Sequence, residues 1–322
     1  MDEPPLSKQE AGHMSIDSRI SRRSFLAGTA AVGAMGMSEA ASADKPASAP
    51  ERPQGEWEIG CYTRPWSDYE YRVALDGIAE AGFKNVGLMT AKMPGNFVIS
   101  TQTTPDEAHA VGEEVRKRGL RVGSIYAGGE LPVSEGVDAA SAVLRKVIDN
   151  CVAAGASSLL MGGIGNEKQY DVYYSAIAAT CDYAAGKKLE ITVKPHGGLN
   201  ATGAQCRKVI EKVNHRNFRL WYDAGNIMYY SDGRLDPAEE AATVDGLVTG
   251  MCVKDYLPPK NVAVQPGEGK VNFKAVLTRL KKGGFVRGPL VVEMLAPAAN
   301  PAGIVENAKK ARLFLESLLR QV

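Results

Sequence analysis

A single α/β domain, a (β/α)8 TIM barrel over residues 56–322, is predicted by three observations. From Trp57 onward a strand-plus-helix unit of about 30 residues recurs eight times. The strand candidates are apolar on both faces, as parallel strands covered by helices must be. No Gly-rich phosphate fingerprint follows the first of them, which disfavours an open doubly wound sheet. The repeats share no fixed pattern, so a solenoid is also disfavoured. Eight βα units in one chain close most naturally into a barrel, for which about 250 residues is the usual length.

The first strand is expected at 57–62 with its helix at 69–81, the second at 85–89 with 104–118, and the third at 121–126 with 136–154. The fourth pair is 157–161 and 168–185, the fifth 189–194 and 203–213, and the sixth 218–222 and 237–245. The seventh is 248–254 with 272–283, the eighth 290–294 with 302–319. Thr104-Pro105-Asp106-Glu107 reads as an N-cap, Pro at the first helical position and acid in the first turn. Lys117-Arg118-Gly119 and Lys281-Lys282-Gly283-Gly284 read as cationic last turns stopped by glycine.

Bulk properties narrow the partners. The chain has 322 residues, 44% hydrophobic and 23% charged, with a net charge of +1. That balance gives no electrostatic reason for nucleic acid or an anionic membrane as partner. The five cysteines (Cys61, Cys151, Cys181, Cys206, Cys252) are odd in number and form no CxxC, against a disulfide framework or a structural zinc knot. His13 lies near the N-terminus, leaving His109, His196 and His215 for the body.

Residues 1–43 read as an export leader. Arg22-Arg23 precede Phe25-Leu26, an Ala- and Gly-rich apolar run follows, and Ala41-Ser42-Ala43 offers an A-x-A cleavage site. This resembles a twin-arginine signal, with Met14 as an alternative start of more usual proportions. The bland reading is an Ala-rich tail with a chance Arg pair. The resemblance implies the twin-arginine translocon as a partner during export and a periplasmic or secreted protein. The run is too short and Gly-rich for a membrane span, so no stable anchor is expected. Residues 44–55, rich in Pro and Ala, read as a linker.

In a barrel the functional residues stand at the C-terminal strand ends. Charges and amides concentrate there on strands five to eight: Lys194 and His196, Asp223 and Asn226, Lys254 and Asp255, and Glu293. Each has a plain structural alternative. Asp223 and Asn226 could cap a turn, His196 before two glycines could be a turn residue, and Lys254 and Asp255 could be an ion pair on the rim. Glu293 directly follows an apolar strand, where a carboxylate is costly unless paired. Tyr62, Arg64 and Trp66 could form a ligand-stacking wall at the mouth or seal the rim. Glu268 reads as a solvated loop charge.

Four pieces resemble the sugar phosphate isomerase/epimerase family, the xylose isomerase-like barrels. Leu220-Trp221-Tyr222-Asp223-Ala224-Gly225-Asn226 resembles its strand-six D-x-G-N element, and Val253-Lys254-Asp255 the end of its strand-seven H-x-K-D. Residues 266–273 resemble its P-G-x-G-x-x-x-F loop, and Pro289-Leu290-Val291-Val292-Glu293 its strand-eight glutamate. The order and spacing match. The resemblance implies a divalent metal (Mn, Zn or Mg) held from strands five to eight, with Asp223 and Glu293 as two ligands and no nucleotide cofactor. At the other two positions the chain departs: Lys194 stands for the strand-five glutamate, and Cys252 for the strand-seven histidine. A protonated lysine cannot ligate a metal, and its charge could replace one. Cys252 could ligate as a thiolate or be a small core residue. The alternative ligand set is His196, Asp223, Glu293 and Cys252.

The implied reaction takes a proton from beside a sugar carbonyl, giving an enediolate. Glu293 and His196 are the candidate acid/base groups, Lys194 and Lys254 the candidate oxyanion stabilisers. Tyr62, Arg64, Trp66, Asn226 and Asp255 are candidates for binding a small carbohydrate. Isomerisation or epimerisation is the leading expectation. The alternatives are a lyase eliminating from 3-keto sugars or glycosides, and a non-catalytic sugar-binding protein. A metal-dependent nuclease is opposed by the charge and the few histidines.

Overall fold

Eight parallel strands pair in sequence order, and β1 returns to β8 to close the barrel. The structure, a computed structural model, describes residues 57–322; the leader and linker expected at 1–55 lie outside the described residues. The strands are β1 Trp57–Tyr62, β2 Asn85–Leu88, β3 Arg121–Tyr126, β4 Ser158–Met161, β5 Glu190–Val193, β6 Phe218–Tyr222, β7 Val248–Val253 and β8 Gly288–Val292. Closure runs in unbroken register from Trp57 opposite Gly288 to Cys61 opposite Val292.

Side chains fill the barrel interior. Tyr62, Met89, Leu160, Trp221, Cys252 and Val291 pack there as one buried cluster, separate from the larger core between sheet and helices. Two ring-bearing residues need glycines on neighbouring strands. A Cβ on Gly87 would stand 2.2 Å from the Tyr62 ring, and one on Gly250 2.4 Å from Trp221. Large and small residues thus alternate around the interior, as a small filled barrel requires.

The helices are α1 Tyr71–Glu80, α2 Pro105–Lys117, α3 Val137–Ala153, α4 Glu167–Gly186, α5 Gly203–Val213, α6 Ala224–Tyr230, α7 Pro237–Glu240, α8 Phe273–Lys282 and α9 Pro301–Leu319. The expected start of α2 is a full capping box between Thr104 and Glu107. Thr202 and Gln205 form a second box at α5. Among the described residues, no helix is long and apolar enough to cross a membrane.

Two elements differ from the sequence reading. A 3-10 turn, Arg64–Trp66, follows β1 directly and delays α1 to Tyr71. After β6, the chain does not run as a loop to 237: α6 begins at Ala224, because Asp223 accepts the backbone N–H of Asn226 and caps a helix there. The expected helix at 237–245 is then only α7 followed by a 3-10 turn, Ala241–Val244.

Candidate active site

Strands β5 and β8 stop at Val193 and Val292, so Lys194 and Glu293 are the first residues beyond their ends. Both face the barrel axis and meet. Lys194 Nζ lies 2.5 Å from Glu293 Oε2 and 3.2 Å from Asp223 Oδ2. Lys254, at the end of β7, lies 2.7 Å from Glu293 Oε1 and 3.2 Å from Asp223 Oδ2. Arg64 adds a guanidinium nitrogen 2.7 Å from Glu293 Oε1. Three cations therefore surround two carboxylates, and every one of these side chains except Arg64 is at most 3% exposed.

The neighbouring residues hold this arrangement. Asp223 spends Oδ1 on the Asn226 N–H and Oδ2 on the two lysines. Asn226 accepts from Lys254 Nζ at 2.9 Å and donates to the Pro195 carbonyl at 2.7 Å. Gly225 lets Lys254 approach: a Cβ there would stand 2.6 Å from the Lys254 carbonyl oxygen. In the D-x-G-N element, then, Asp223 caps α6 and pairs with both lysines, Gly225 makes room for Lys254, and Asn226 fixes its ammonium.

Burial sets the charge states. Desolvation works against an ionised Glu293, but Lys194, Lys254 and Arg64 overcome it and hold the carboxyl well below its ordinary range. Burial likewise works against charge on Lys194, and the Glu293 and Asp223 carboxylates outweigh it, raising its pKa above the usual lysine value. Burial pushes the Cys252 thiol well up, so it stays neutral. His196 sits beside this charge, half-buried, between the rings of Tyr126 and Tyr230, each 6.0 Å away by centroid. Desolvation first, and then the Lys194 charge, lower its pKa to about 4, so the imidazole is neutral near pH 7.

Other expected site residues fall elsewhere. Trp66 is fully buried against α1, where a Cβ on Gly77 would stand 2.9 Å from its ring; it forms no wall at the mouth. Tyr62 is also fully buried and bonds Ser124 inside the barrel at 3.1 Å. Of the three residues expected as a sugar-facing wall, only Arg64 reaches the site. Asp255 does not pair with Lys254. It points away and accepts the N–H groups of Gly267, Gly269 and Val271 at 2.9–3.0 Å, pinning the P-G-E-G loop. A fully buried carboxylate bonded in this way organises the loop and has no oxygen free for a ligand. Glu268 is exposed. His109 and His215 face Glu113 and Asp182 on the helical shell.

Tyr126 and Tyr230 were not assigned from sequence, although Tyr126 ends β3. Lys194 Nζ lies 5.8 Å from the Tyr126 ring centroid. Burial raises the pKa of both phenols, that of Tyr230 to about 12, so both remain proton donors.

The donor atoms of Asp223, Cys252 and Glu293 lie within 4.8 Å of one another, close enough to hold an ion; His196 is outside this group. Their chemistry fits a dication poorly. Both Glu293 oxygens and the inward Asp223 oxygen already face cations, the thiol is protonated, and a divalent ion would raise the positive charges from three to five against two carboxylates. The two ammoniums stand where such an ion would need its ligands.

Residues 75–318 match the family described as xylose isomerase-like TIM barrel, and the chain belongs to that family. A xylose isomerase domain protein from Planctomyces limnophilus superposes with a TM-score of 0.65 at 20% identity, covering 83% of this chain and 99% of that one. D-allulose 3-epimerase from Methylomonas sp. gives 0.63 at 19% identity, covering 82% and 98%. D-psicose 3-epimerase from Clostridium cellulolyticum H10 gives 0.63 at 12% identity, covering 81% and 99%. At these identities the likeness is one of fold. No curated protein matches the chain.

Proposed function

We propose that this chain is a carbohydrate isomerase or epimerase that moves a proton beside a sugar carbonyl through an enediolate, with fixed lysine charge in the place of a divalent metal. The observation that carries this reading is the Lys194–Lys254 pair bridging Asp223 and Glu293, next to a neutral His196. The 3-epimerases among the structural relatives support the substrate class.

The residues divide the work by accessibility. His196, uncharged above about pH 4, accepts the proton from the carbon next to the carbonyl. The electron pair moves onto the carbonyl oxygen. Arg64, 36% exposed, is the cation that oxygen can reach directly, while the buried lysines act through their field. That field is positive, since three cations outnumber two carboxylates. Glu293, with both oxygens engaged, positions the cations and is a weak base. Passage of the neighbouring hydroxyl's proton to the oxyanion, with return of the carbon-bound proton from His196 to the former carbonyl carbon, isomerises the sugar. Delivery to the opposite face epimerises it, with the Tyr126 or Tyr230 hydroxyl as donor.

The test is exchange of substrate carbon-bound hydrogen with deuterated water across a panel of ketohexoses. His196→Gln is expected to slow exchange by about 10²–10⁴-fold, the usual contribution of a general base. In the wild type the rate should be flat near neutrality and fall only as pH approaches about 4. Stability follows the same group. A folded pKa of about 4 against about 6.5 unfolded means the protein loses up to roughly 3 kcal/mol as pH falls from 6.5 to 4. An acid limb near 6.5, or unchanged exchange in the variant, contradicts the assignment. No exchange with any keto sugar would leave a sugar-binding protein.

Elimination from a 3-keto glycoside shares the first half of this reaction. A cavity beside His196, lined by Tyr126 and Gly162, favours it as a second reading, because a leaving group has somewhere to go. Its signature is release of the aglycone together with loss of the neighbouring hydrogen.

The leader at 19–43 supports export by the twin-arginine route to the periplasm or beyond. Changing Arg22 and Arg23 to Lys should hold the full-length protein in the cytoplasm; an unchanged distribution after fractionation contradicts this.

A further inference from the structure

The segment 194–200 carries His196 over the end of β5, and little within it fixes its shape. Gly197 and Gly198 follow the histidine directly, at φ 81° and 56°. Glycine enters that region without steric cost and leaves it as easily, so two in succession give the histidine no stiffness of their own. Contacts from outside must supply it. Part of it is steric: Cβ atoms on these glycines would stand 2.5 Å from the Tyr230 ring and 2.6 Å from Gly165 Cα.

The rest comes from Asn200, which closes the segment on itself. Its backbone carbonyl accepts the His196 N–H at 3.1 Å. Its side-chain nitrogen donates to the Lys194 carbonyl at 2.8 Å and to the Gly162 carbonyl at 2.9 Å. One carboxamide thus joins the ends of β4 and β5, where the ladder between them stops and leaves carbonyls to be met. Asn226 donates to the Pro195 carbonyl, so each backbone polar group from the Lys194 carbonyl to the His196 N–H is held. Asn200 is 1% exposed, and its Oδ1 has no partner among the described residues. Turning the amide over would set that oxygen against two carbonyl oxygens, so the two donor bonds fix its orientation. The unpaired oxygen costs stability, and the arrangement persists in spite of it.

We propose that Asn200 is a positioning residue for the proton transfer, holding the His196 imidazole between Tyr126 and Tyr230 by closing the segment that carries it. This rests on the reading of His196 as the base and adds to it the residue that sets its place. Asn200 acts through the Lys194 and Gly162 carbonyls and the His196 N–H. Without its amide the two glycines leave the imidazole free to swing, and a displacement of about 1 Å at a reacting group costs about 10²-fold in rate. The Lys194 ammonium is less affected, because Asp223 and Glu293 hold it directly.

The test is made on the full chain with two variants. Asn200→Leu keeps the branched side chain and removes both donors. Asn200→Ser is small enough for water to meet the two carbonyls, so it folds where leucine does not. The first readout needs no substrate. Nuclear Overhauser contacts from the His196 ring to the Tyr126 and Tyr230 rings are expected in the wild type, with centroids 6.0 Å apart, and should weaken or vanish in the folded variants. The chain has four histidines, and His196→Gln assigns the signal. The second readout is deuterium exchange into keto sugars. Its kcat should fall about 10²-fold in Asn200→Leu and about 10-fold in Asn200→Ser, with KM nearly unchanged. A residue that serves only the fold would lower the denaturation midpoint and move neither readout, and that result overturns the proposal. A raised KM with unchanged kcat overturns it as well. The ring contacts separate this inference from the reaction: if they are lost in the variants while the wild type exchanges with no keto sugar, the hold on His196 stands and the isomerase reading falls.

Discussion

Glu293→Gln is expected to destabilise the protein by about 3–5 kcal/mol, the range for breaking a buried ion pair from one side. The wild-type carboxylate is fully buried and meets Lys194, Lys254 and Arg64 at 2.5–2.7 Å. Glutamine has nearly the same shape, so packing survives the change. Its amide, however, offers one acceptor oxygen and turns an NH2 donor toward a cation. Asp223 alone would then balance three positive charges. The pH dependence has a definite sign. Glu293 has a folded pKa well below its ordinary value, so its contribution is complete above the usual carboxylate range and is lost progressively as pH falls below that range toward the folded value. Loss of stability between pH 6.5 and the top of the carboxylate range therefore belongs to His196. Denaturant unfolding measures the difference, and a change below about 1 kcal/mol would mean the pairs are worth no more than surface ones.

Lys194→Met should slow deuterium exchange by at least about 10²-fold, within the span of losing one electrostatic stabiliser of a developing oxyanion. Methionine keeps the length and apolar stem of lysine and removes only the ammonium. A second readout reports the lysine's field at His196. The Lys194 charge helps to lower the His196 pKa, so its removal should move the acid limb upward from about 4. A Lys194 charge that does not reach His196 would leave the acid limb at about 4, and a lysine that only balances Glu293 would leave the exchange rate at neutral pH unchanged in the folded variant. The shift is read by the pH–rate profile or by NMR titration of the imidazole.

The fold was legible because both faces of each strand are covered, so the strands stand out as apolar runs between turn residues. β1, β3, β6 and α5 fall at the expected limits. The cluster was legible too: Lys194, Asp223, Lys254 and Glu293 converge although they come from four separate strand ends. Side-chain direction beyond a strand end was the harder matter. Lys254 and Asp255 are neighbours in sequence, yet one turns to the barrel axis and the other to the loop at 267–271. The 3-10 turn after β1 rotates Trp66 into the core while Arg64 stays at the mouth, and no apolar period marks so short a turn. α6 was hidden because its seven residues, Ala224–Tyr230, are too few to show an apolar helical period, although Asp223 was legible as a possible cap. The role of Tyr126 depends on its contact with His196, which begins 70 residues later and leaves no trace in local pattern.

The central claim is that two lysines do electrostatically what a bound dication would do. The most direct test is elemental analysis of residues 44–322, purified without chelators and then soaked in Mn, Zn and Mg, alongside Asp223→Ala, with deuterium exchange followed before and after EDTA. The account predicts no stoichiometric metal and exchange that is indifferent to EDTA. About one equivalent of metal per chain, lost in Asp223→Ala and required for exchange, would contradict it and return Asp223, Cys252 and Glu293 to the role of ligands.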